Sequence, residues 1–584
     1  MPERVVLVGY GPVGARLIEG LLPDVRAGRI DLTVIGAEAS DVYNRVLLAE
    51  HAVGRMDRSG LDMSDRLVAE EAGARFVRGM TVVGVDRVRR VVRLYDGIRL
   101  PYDRLVLATG ARANVPTLAG LERAQRHRAA PPGAPEALDR GASPLPRGVV
   151  ALRNLDDAEP VRAAVAAGQR IVVLGAGVLG MELALAATEA GAEVVVAHHS
   201  AAPMNRTLDE NGGRVLAAAA TAAGVEMRHH ARAESIVQRY DDRGQAWFDG
   251  LVCADGQVLA GDLLVLSCGV GARTEVAALA GLAVSAGVLV DGSSRSWTDP
   301  AIFAIGDCAH VADPADAGPD GRVPGGPSGL IGPGWRQADR LAALLSAEAS
   351  RASTASSGAA SSGAASSGAA SSGAASSGAA VSPEAASPGA ASPGAASPGS
   401  ASPGAASPGS ASPVAPERPA VVMLKAEGID VVAGGAVDAD PFAPVHAAGC
   451  GAPQVTLWAD PARGAYVKLI TLDGVLTGFV AVGMPLTGAE LTLLFERGSE
   501  LPADRSSLLR LDAPDAGMPA VGDPFAADAT VCWCNGVSAG AIRDAVTAGE
   551  PTVACVKAST RAGTGCGGCV GRITELLARE AVPV

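Results

Sequence analysis

Val5-Val6-Leu7-Val8-Gly9-Tyr10-Gly11-Pro12-Val13-Gly14 is the stretch that decides the fold of this 584-residue chain. Four apolar, mostly β-branched residues predict a buried strand, and a helical pattern over residues 15–22 follows the glycines. In such a strand, turn and helix each glycine has its own task. Gly9 permits the tight turn, Gly11 lets backbone approach a pyrophosphate, and Gly14 lets the helix pack close to the strand with its amino end facing the anion. A second strand over residues 31–35 leads toward Glu38, an acid placed to accept hydrogen bonds from a ribose hydroxyl roughly 20 residues beyond the glycines.

Further along, Ile171-Val172-Val173-Leu174-Gly175-Ala176-Gly177-Val178-Leu179-Gly180 repeats the pattern, with a helix over 181–190 and a strand over 193–197. Two such units imply two dinucleotides, and the natural pair is a tightly held FAD with an exchangeable NAD(P)H. His198-His199-Ser200 stand where an acid usually marks NAD. Arg206 reads either as a partner for a 2′-phosphate or as an exposed cation, so NADH against NADPH stays open, with a lean to NADH from the resemblance below.

The formal net charge of −13 offers no basic face to a nucleic acid. No run is apolar enough to span a membrane, and no signal-peptide pattern follows Met1-Pro2-Glu3-Arg4. The expectation is a cytoplasmic enzyme, in which clustered cysteines are metal ligands or catalytic thiols. The first of the nine cysteines is Cys253, so the usual places for a thiol pair beside a flavin are empty. Cys253, Cys268, Cys308, Cys450 and Cys555 read as small apolar residues. The other four form Cys532-x-Cys534 and Cys566-x-x-Cys569, a thiolate quartet suited to zinc or a [2Fe-2S] cluster, and spacing favours neither. Zinc has no accessible redox step, so a flavin unit upstream turns the reading toward [2Fe-2S] as the electron exit, with zinc as the alternative.

Three further pieces, Tyr43-Asn44-Arg45, Leu105-Val106-Leu107-Ala108-Thr109-Gly110-Ala111 and Ile302-Phe303-Ala304-Ile305-Gly306-Asp307-Cys308, resemble the FAD-contacting motifs of two-dinucleotide flavoprotein reductases. The resemblance puts Gly9, Gly11, Gly14, Glu38, Arg45, Thr109, Gly110 and Asp307 around the flavin. It puts Gly175, Gly177, Gly180, His198 and Arg206 on NAD(P), and Glu182 near flavin and nicotinamide. Gly428 to Val431 and Tyr466-Val467-Lys468-Leu469 resemble motifs of the C-terminal domain of ferredoxin-reductase-like flavoproteins. Ala558-Ser559-Thr560-Arg561-Ala562-Gly563-Thr564-Gly565-Cys566-Gly567-Gly568-Cys569, with Cys534-Asn535-Gly536-Val537, looks like the bacterioferritin-associated-ferredoxin type of [2Fe-2S] domain, which makes Cys532, Cys534, Cys566 and Cys569 the ligands.

In this order the parts resemble the FAD and [2Fe-2S] half of the assimilatory nitrite reductase large subunit. They are also similar to the electron-transfer subunit of assimilatory nitrate reductase. The implied fold class is α/β, with two Rossmann-like, glutathione-reductase-like domains, a small α+β domain and a small helical [2Fe-2S] domain. The expected boundaries are 1–120 with 262–345 for FAD, 146–261 for NAD(P), an insertion between them, a disordered Ser/Gly/Ala/Pro linker at 346–418, the α+β domain at 419–500 and the cluster domain at 528–584. The implied activity passes electrons from NAD(P)H to FAD, to the cluster, and to a separate nitrate or nitrite reductase catalytic subunit. No siroheme segment is read in the sequence, so nitrite reduction itself is assigned to that partner. The alternatives are a ferredoxin or rubredoxin reductase with a structural metal site, and a redox-sensing or iron-handling binding protein.

Overall fold

A computed structural model describes residues 2–121, 145–361, 421–424, 426–442, 452–502, 504–512, 525–527, 529–532, 535, 537–549, 551–565 and 567–580. Most of the insertion, most of the expected linker, Cys450, Cys534 and Cys566 lie outside them. Residues 350–417 separate from the rest, which forms one compact unit.

The quoted stretch becomes the strand Glu3–Val8 and the helix Pro12–Arg26. Proline at the first helical position loses nothing, because that N–H has no intrahelical partner. Leu17, Ile18 and Leu21 pack on Val5, Leu7 and Leu32 and on Leu341 and Leu345 of a later helix. The strand is central in a five-stranded sheet ordered Ile302–Ala304, Arg104–Leu107, Glu3–Val8, Ile30–Gly36, Arg75–Arg78. All four pairings are parallel. Chain order reverses between Glu3–Val8 and Arg104–Leu107, and a crevice at such a switch point is where open parallel sheets bind ligands.

A second parallel sheet repeats the plan as Val149–Val150, Leu263–Leu266, Arg170–Leu174, Glu193–Ala197, Glu226–Arg228. This moves one expected boundary. Leu263–Leu266 pairs with Arg170–Leu174 and so belongs to the second domain, and the return to the first comes after the expected residue 262. The second unit needs a strand across its switch point just as the first needs Arg104–Leu107. The return comes with Val270–Ala272, which pairs with Ala111–Ala113.

The third domain is an antiparallel sheet ordered Val422–Leu424, Val431–Gly435, Val475–Val482, Ala465–Leu472, Gln454–Asp460, backed by the helix Pro485–Arg497. Asp473 and Gly474 turn its central hairpin with φ of 50° and 82°, as a tight two-residue turn requires. The fourth packs the hairpin Thr530–Cys532 with Val537–Ser538 against the helices Ala539–Ala548, Val553–Thr560 and Val570–Glu580. Its core holds Val531, Ile542, Val556, Ile573 and Leu576 together with Cys532 and Cys569.

The expected linker also starts later than residue 346. The helix Ile331–Ser361 runs past that position, because Leu345 and Ala349 are still buried and the alanines that follow favour helix. Among the described residues no helix is long and apolar enough to cross a membrane.

Candidate dinucleotide and cluster sites

Both glycine turns solve the same packing problem. Gly9 and Gly175 have φ of 120° and 113°. A Cβ on Gly9 would stand 2.0 Å from the Ala108 carbonyl oxygen, and one on Gly175 2.3 Å from that of Ser267. A Cβ on Gly14 would meet the Gly9 oxygen at 2.3 Å, and one on Gly180 the Gly175 oxygen at 2.1 Å. Gly11 and Gly177 differ, since a Cβ there would meet nothing within 4 Å. The protein itself does not demand glycine at these two positions. They border open space at helix starts that carry no side-chain cap, so amide donors face a cradle shaped for a pyrophosphate.

Around the first turn the charged groups interlock. The Tyr43 hydroxyl donates to Glu38 at 2.9 Å, and Arg45 pairs with the same carboxylate. Arg45 Nη1 donates to the Arg153 carbonyl at 3.1 Å, and Arg153 Nη2 pairs with Asp307 Oδ2 at 2.7 Å. Thr109 Oγ1 donates to the Arg273 carbonyl at 2.8 Å, and the Gly110 carbonyl accepts from the Arg273 N–H at 2.9 Å. The structure therefore brings Glu38, Arg45, Thr109, Gly110 and Asp307 together, and adds Arg153 and Arg273. Burial, and then the charge of Arg45, lowers the Arg273 pKa, with Arg112 and Arg153 acting in the same sense. Crowded guanidinium groups at a glycine turn fit a phosphate-bearing ligand whose charge offsets theirs. Arg273 follows directly on the strand Val270–Ala272 and Arg153 lies three residues beyond Val149–Val150, in loops of the kind that carry function.

Around the second turn no comparable cluster of arginines gathers among the described residues. The Met204 N–H donates to the Ala176 carbonyl at 2.7 Å, folding residues 202–208 over the glycines. His198 is buried with Nε2 unpartnered, while Arg206 is exposed. Glu182, on the helix Val178–Glu189, is buried rather than on the helix surface. The loop ends at Asp209, which accepts from the Tyr466 hydroxyl at 2.5 Å and lies 3.4 Å from Lys468 Nζ. Lys468 also donates to the Val437 carbonyl at 2.7 Å. The 466–469 motif singled out in the sequence thus meets the loop that carries Arg206.

Two of the four candidate cluster ligands are described. Cys532 and Cys569 are both buried in the core of the fourth domain. Asn535 Nδ2 lies 3.7 Å from Cys532 Sγ and donates to the Arg561 carbonyl at 2.8 Å, so an N–H is aimed at the sulfur, as cluster thiolates require. Among the described residues no three metal-ligating groups are gathered, Cys534 and Cys566 being outside them. The loop carrying Cys566 docks on the first domain. Asn44 Nδ2 donates to the Thr564 carbonyl at 3.0 Å and to that of Gly565, and Arg561 pairs with Glu19. A Cβ on Gly567 would stand 3.0 Å from Leu47. Burial pushes the Cys268 thiol up to about 11 and raises those of Cys253 and Cys308.

Two dinucleotide folds joined in this way, with a cysteine-bearing domain against the first, define a flavoprotein oxidoreductase. Residues 3–325 match the pyridine nucleotide-disulphide oxidoreductases, and the chain belongs to that family. Residues 530–579 match the BFD-like [2Fe-2S] binding domain. The chain is an NAD(P)H-dependent oxidoreductase with FAD and [2Fe-2S] as its cofactors. It is similar to the nitrite reductase [NAD(P)H] large subunit of Klebsiella oxytoca, 28% identical over 98% of this chain and 48% of that one. It is also similar to the assimilatory nitrate reductase electron transfer subunit of Bacillus subtilis, 24% identical over 98% of this chain and 59% of that one. The chain therefore spans about half the length of these relatives. The putidaredoxin reductase–putidaredoxin complex shares its fold, with a TM-score of 0.62 and 19% identity over 87% of this chain and 98% of that one.

Proposed function

We propose that the chain carries electrons from NAD(P)H through FAD and the cluster to a separate protein, the catalytic subunit of an assimilatory nitrate or nitrite reductase, in the cytoplasm. In this reading Gly9, Gly11, Gly14, Glu38, Arg45, Thr109, Gly110 and Asp307, joined by Arg153 and Arg273, hold FAD. Gly175, Gly177, Gly180, His198 and Arg206 receive the nicotinamide nucleotide, and Glu182 lies where flavin and nicotinamide meet. Cys532, Cys534, Cys566 and Cys569 hold the cluster.

When bound, the flavin supplies the conversion of a two-electron donor into single-electron steps. What the chain's own residues do is position. The glycines open a path for two pyrophosphates, the arginines offset their charge, and the buried strand ends keep water out. The observation that carries the route is the docking of Thr564 and Gly565, beside Cys566, onto Asn44, beside Arg45. Cys268 and Cys308 support it from the other side: thiols held protonated by burial offer no competing exit.

Anaerobic addition of NADH or NADPH to the fully loaded protein tests this. The flavin band is expected to bleach first and the electron-spin signal of a reduced cluster to follow, while Cys569→Ser keeps the first and loses the second. A flavin that bleaches with the cluster left oxidised, or one that does not bleach at all, would overturn the reading.

A further inference from the structure

We infer that Arg561 is a positioning residue that ties the potential of the cluster to the docking of its domain: Glu19 holds its side chain, and its carbonyl holds the Asn535 amide against the sulfur of Cys532. Underlying this is the proposed place of Cys532 among the cluster ligands. Arg561 closes the helix Val553–Thr560 in the left-handed region, with φ of 64° and ψ of 4°. Helices commonly end on such a residue, and it is usually glycine, because a Cβ crowds the backbone there. An arginine at this place is strained, and strain of this kind persists only where surrounding contacts hold it.

Those contacts fall in two groups. Within the fourth domain the Arg561 N–H donates to the Lys557 carbonyl at 3.0 Å, and the Arg561 carbonyl accepts from Thr564 Oγ1 and from Asn535 Nδ2, both at 2.8 Å. The second group reaches the first domain. The guanidinium pairs with Glu19, on the helix Pro12–Arg26 whose amino end opens on the first glycine turn. Arg16 of the same helix is engaged elsewhere, bonded through Nε and Nη2 to the Asp339 carboxylate at 2.6 and 2.9 Å. Thr564, which shares the Arg561 carbonyl, is in turn held by Asn44 through its own carbonyl at 3.0 Å. Both ends of the turn are thus fastened to the first domain.

Asn535 carries this fastening to the sulfur. Its Nδ2 has two protons, so it can serve the Arg561 carbonyl with one and turn the other on Cys532 Sγ, 3.7 Å away and fully buried. An N–H on a ligand sulfur favours the reduced form, in which the sulfurs carry more negative charge, and so raises the potential. With the ion pair lost, the arginine can leave the left-handed region and turn its carbonyl away, and the amide loses its hold. Docking thus makes the cluster the better electron acceptor, and release makes it the better donor.

Dye-mediated redox titration of the cofactor-loaded full-length protein, followed by the electron-spin signal of the reduced cluster, tests this. It is run at pH 8, since burial pushes the Glu19 carboxyl up to about 7. Asn535→Ala is expected to lower the midpoint by about 59 mV or more, tenfold in a one-electron equilibrium. Glu19→Gln should lower it too, by about threefold in the same equilibrium. Arg561→Gly loses the same ion pair but takes a φ of 64° without strain, so its carbonyl stays in place and its midpoint should match the native one. A merely structural ion pair would make the last two variants alike. A native midpoint in Glu19→Gln or in Asn535→Ala, or a shift in Arg561→Gly equal to that in Glu19→Gln, overturns the inference and leaves the cluster site standing. An unchanged cluster signal in Cys532→Ser overturns the ligand reading and the inference together.

Discussion

The two glycine turns share their backbone, even to the carbonyl that each first glycine avoids, yet what surrounds them is opposite in kind. Beyond the first, the ion pairs Glu38–Arg45 and Arg153–Asp307 are joined through the Arg153 carbonyl, and a loop of the fourth domain is bonded to Asn44, next to Arg45. Beyond the second stand an unpartnered imidazole and an exposed arginine, and the loop is tied to the third domain at Asp209. The shared part is what a pyrophosphate needs. In the proposed function the differing part separates a ligand meant to stay, beside the charged groups, from one meant to leave.

The harshest way to break the comparison is to put a methyl group where each turn has no room. Gly9→Ala forces a Cβ to within 2.0 Å of the Ala108 oxygen, at a φ of 120° that side chains rarely adopt. The expected outcome is protein that fails to retain flavin through gel filtration, much of it insoluble. Gly175→Ala meets a similar clash at 2.3 Å, but in the second domain. It should purify yellow and lose bleaching by NAD(P)H. If both variants lose flavin equally, the two turns are not separate sites.

Gly11→Ala and Gly177→Ala sharpen the same contrast, because their methyl groups meet only open space. Unfolding temperatures should stay within about 2 °C of the native value. Flavin retention should fall for the first, and the dissociation constant for nucleotide should rise for the second, each by about tenfold or more.

The anchor of the second loop is expected to act on stability and leave the first turn untouched. Lys468 is buried, 3.4 Å from Asp209 and bonded to the Val437 carbonyl. Lys468→Met removes the cation beside a part-buried carboxylate that keeps the Tyr466 hydroxyl, at a cost of about 2 kcal/mol in denaturant unfolding. Flavin content should not change. Tyr466→Phe removes one hydroxyl from the same carboxylate and should cost about 1 kcal/mol.

These particulars also mark what the sequence could yield. Both glycine turns were readable because their signal is local: apolar run, spaced glycines and helix follow one another within a few residues. The strand Glu193–Ala197 falls where the pattern places it, for the same reason. The boundary at residue 262 misplaces Leu263–Leu266, since the pairing partners of a short apolar run leave no trace in it. Val431–Gly435 was passed over, because its two glycines weaken a strand pattern that pairing on both sides restores. Arg153 and Arg273 stayed invisible for a plainer reason. Each owes its place to contacts across more than a hundred residues, and no window shows those.

The neutral imidazole of the second site predicts a pH dependence that the charged network of the first does not. The folded chain lowers the His198 pKa from 6.5 to about 4, chiefly by burial. Between those values the unfolded chain takes up a proton that the folded one refuses. Stability is thus full above pH 6.5 and falls as pH drops toward 4, by at most about 3 kcal/mol. Unfolding curves of His198→Asn should flatten in this window. A native curve already flat between pH 4 and 6.5 would mean that the ring is protonated in the fold.

Asn44 gives the finest test, because it belongs to the first site and holds the cluster loop. Its Oδ1 accepts from the Val46 N–H at 3.0 Å, which shapes the turn bearing Arg45, while Nδ2 serves the Thr564 and Gly565 carbonyls. Asn44→Ala leaves those carbonyls without a side-chain donor and frees the loop to drift from the flavin segment. Electron transfer depends steeply on separation and chemistry at the second site does not. Flavin reduction by NAD(P)H should therefore keep its rate within about twofold, while cluster reduction, followed by stopped-flow absorbance, slows about tenfold, equivalent to about 1.4 kcal/mol. Asn44→Asp discriminates further. It keeps the acceptor for Val46 but turns a carboxylate on two carbonyl oxygens, so it should slow the second step more than alanine does, and equal effects from the two variants would remove the docking contact from the electron route.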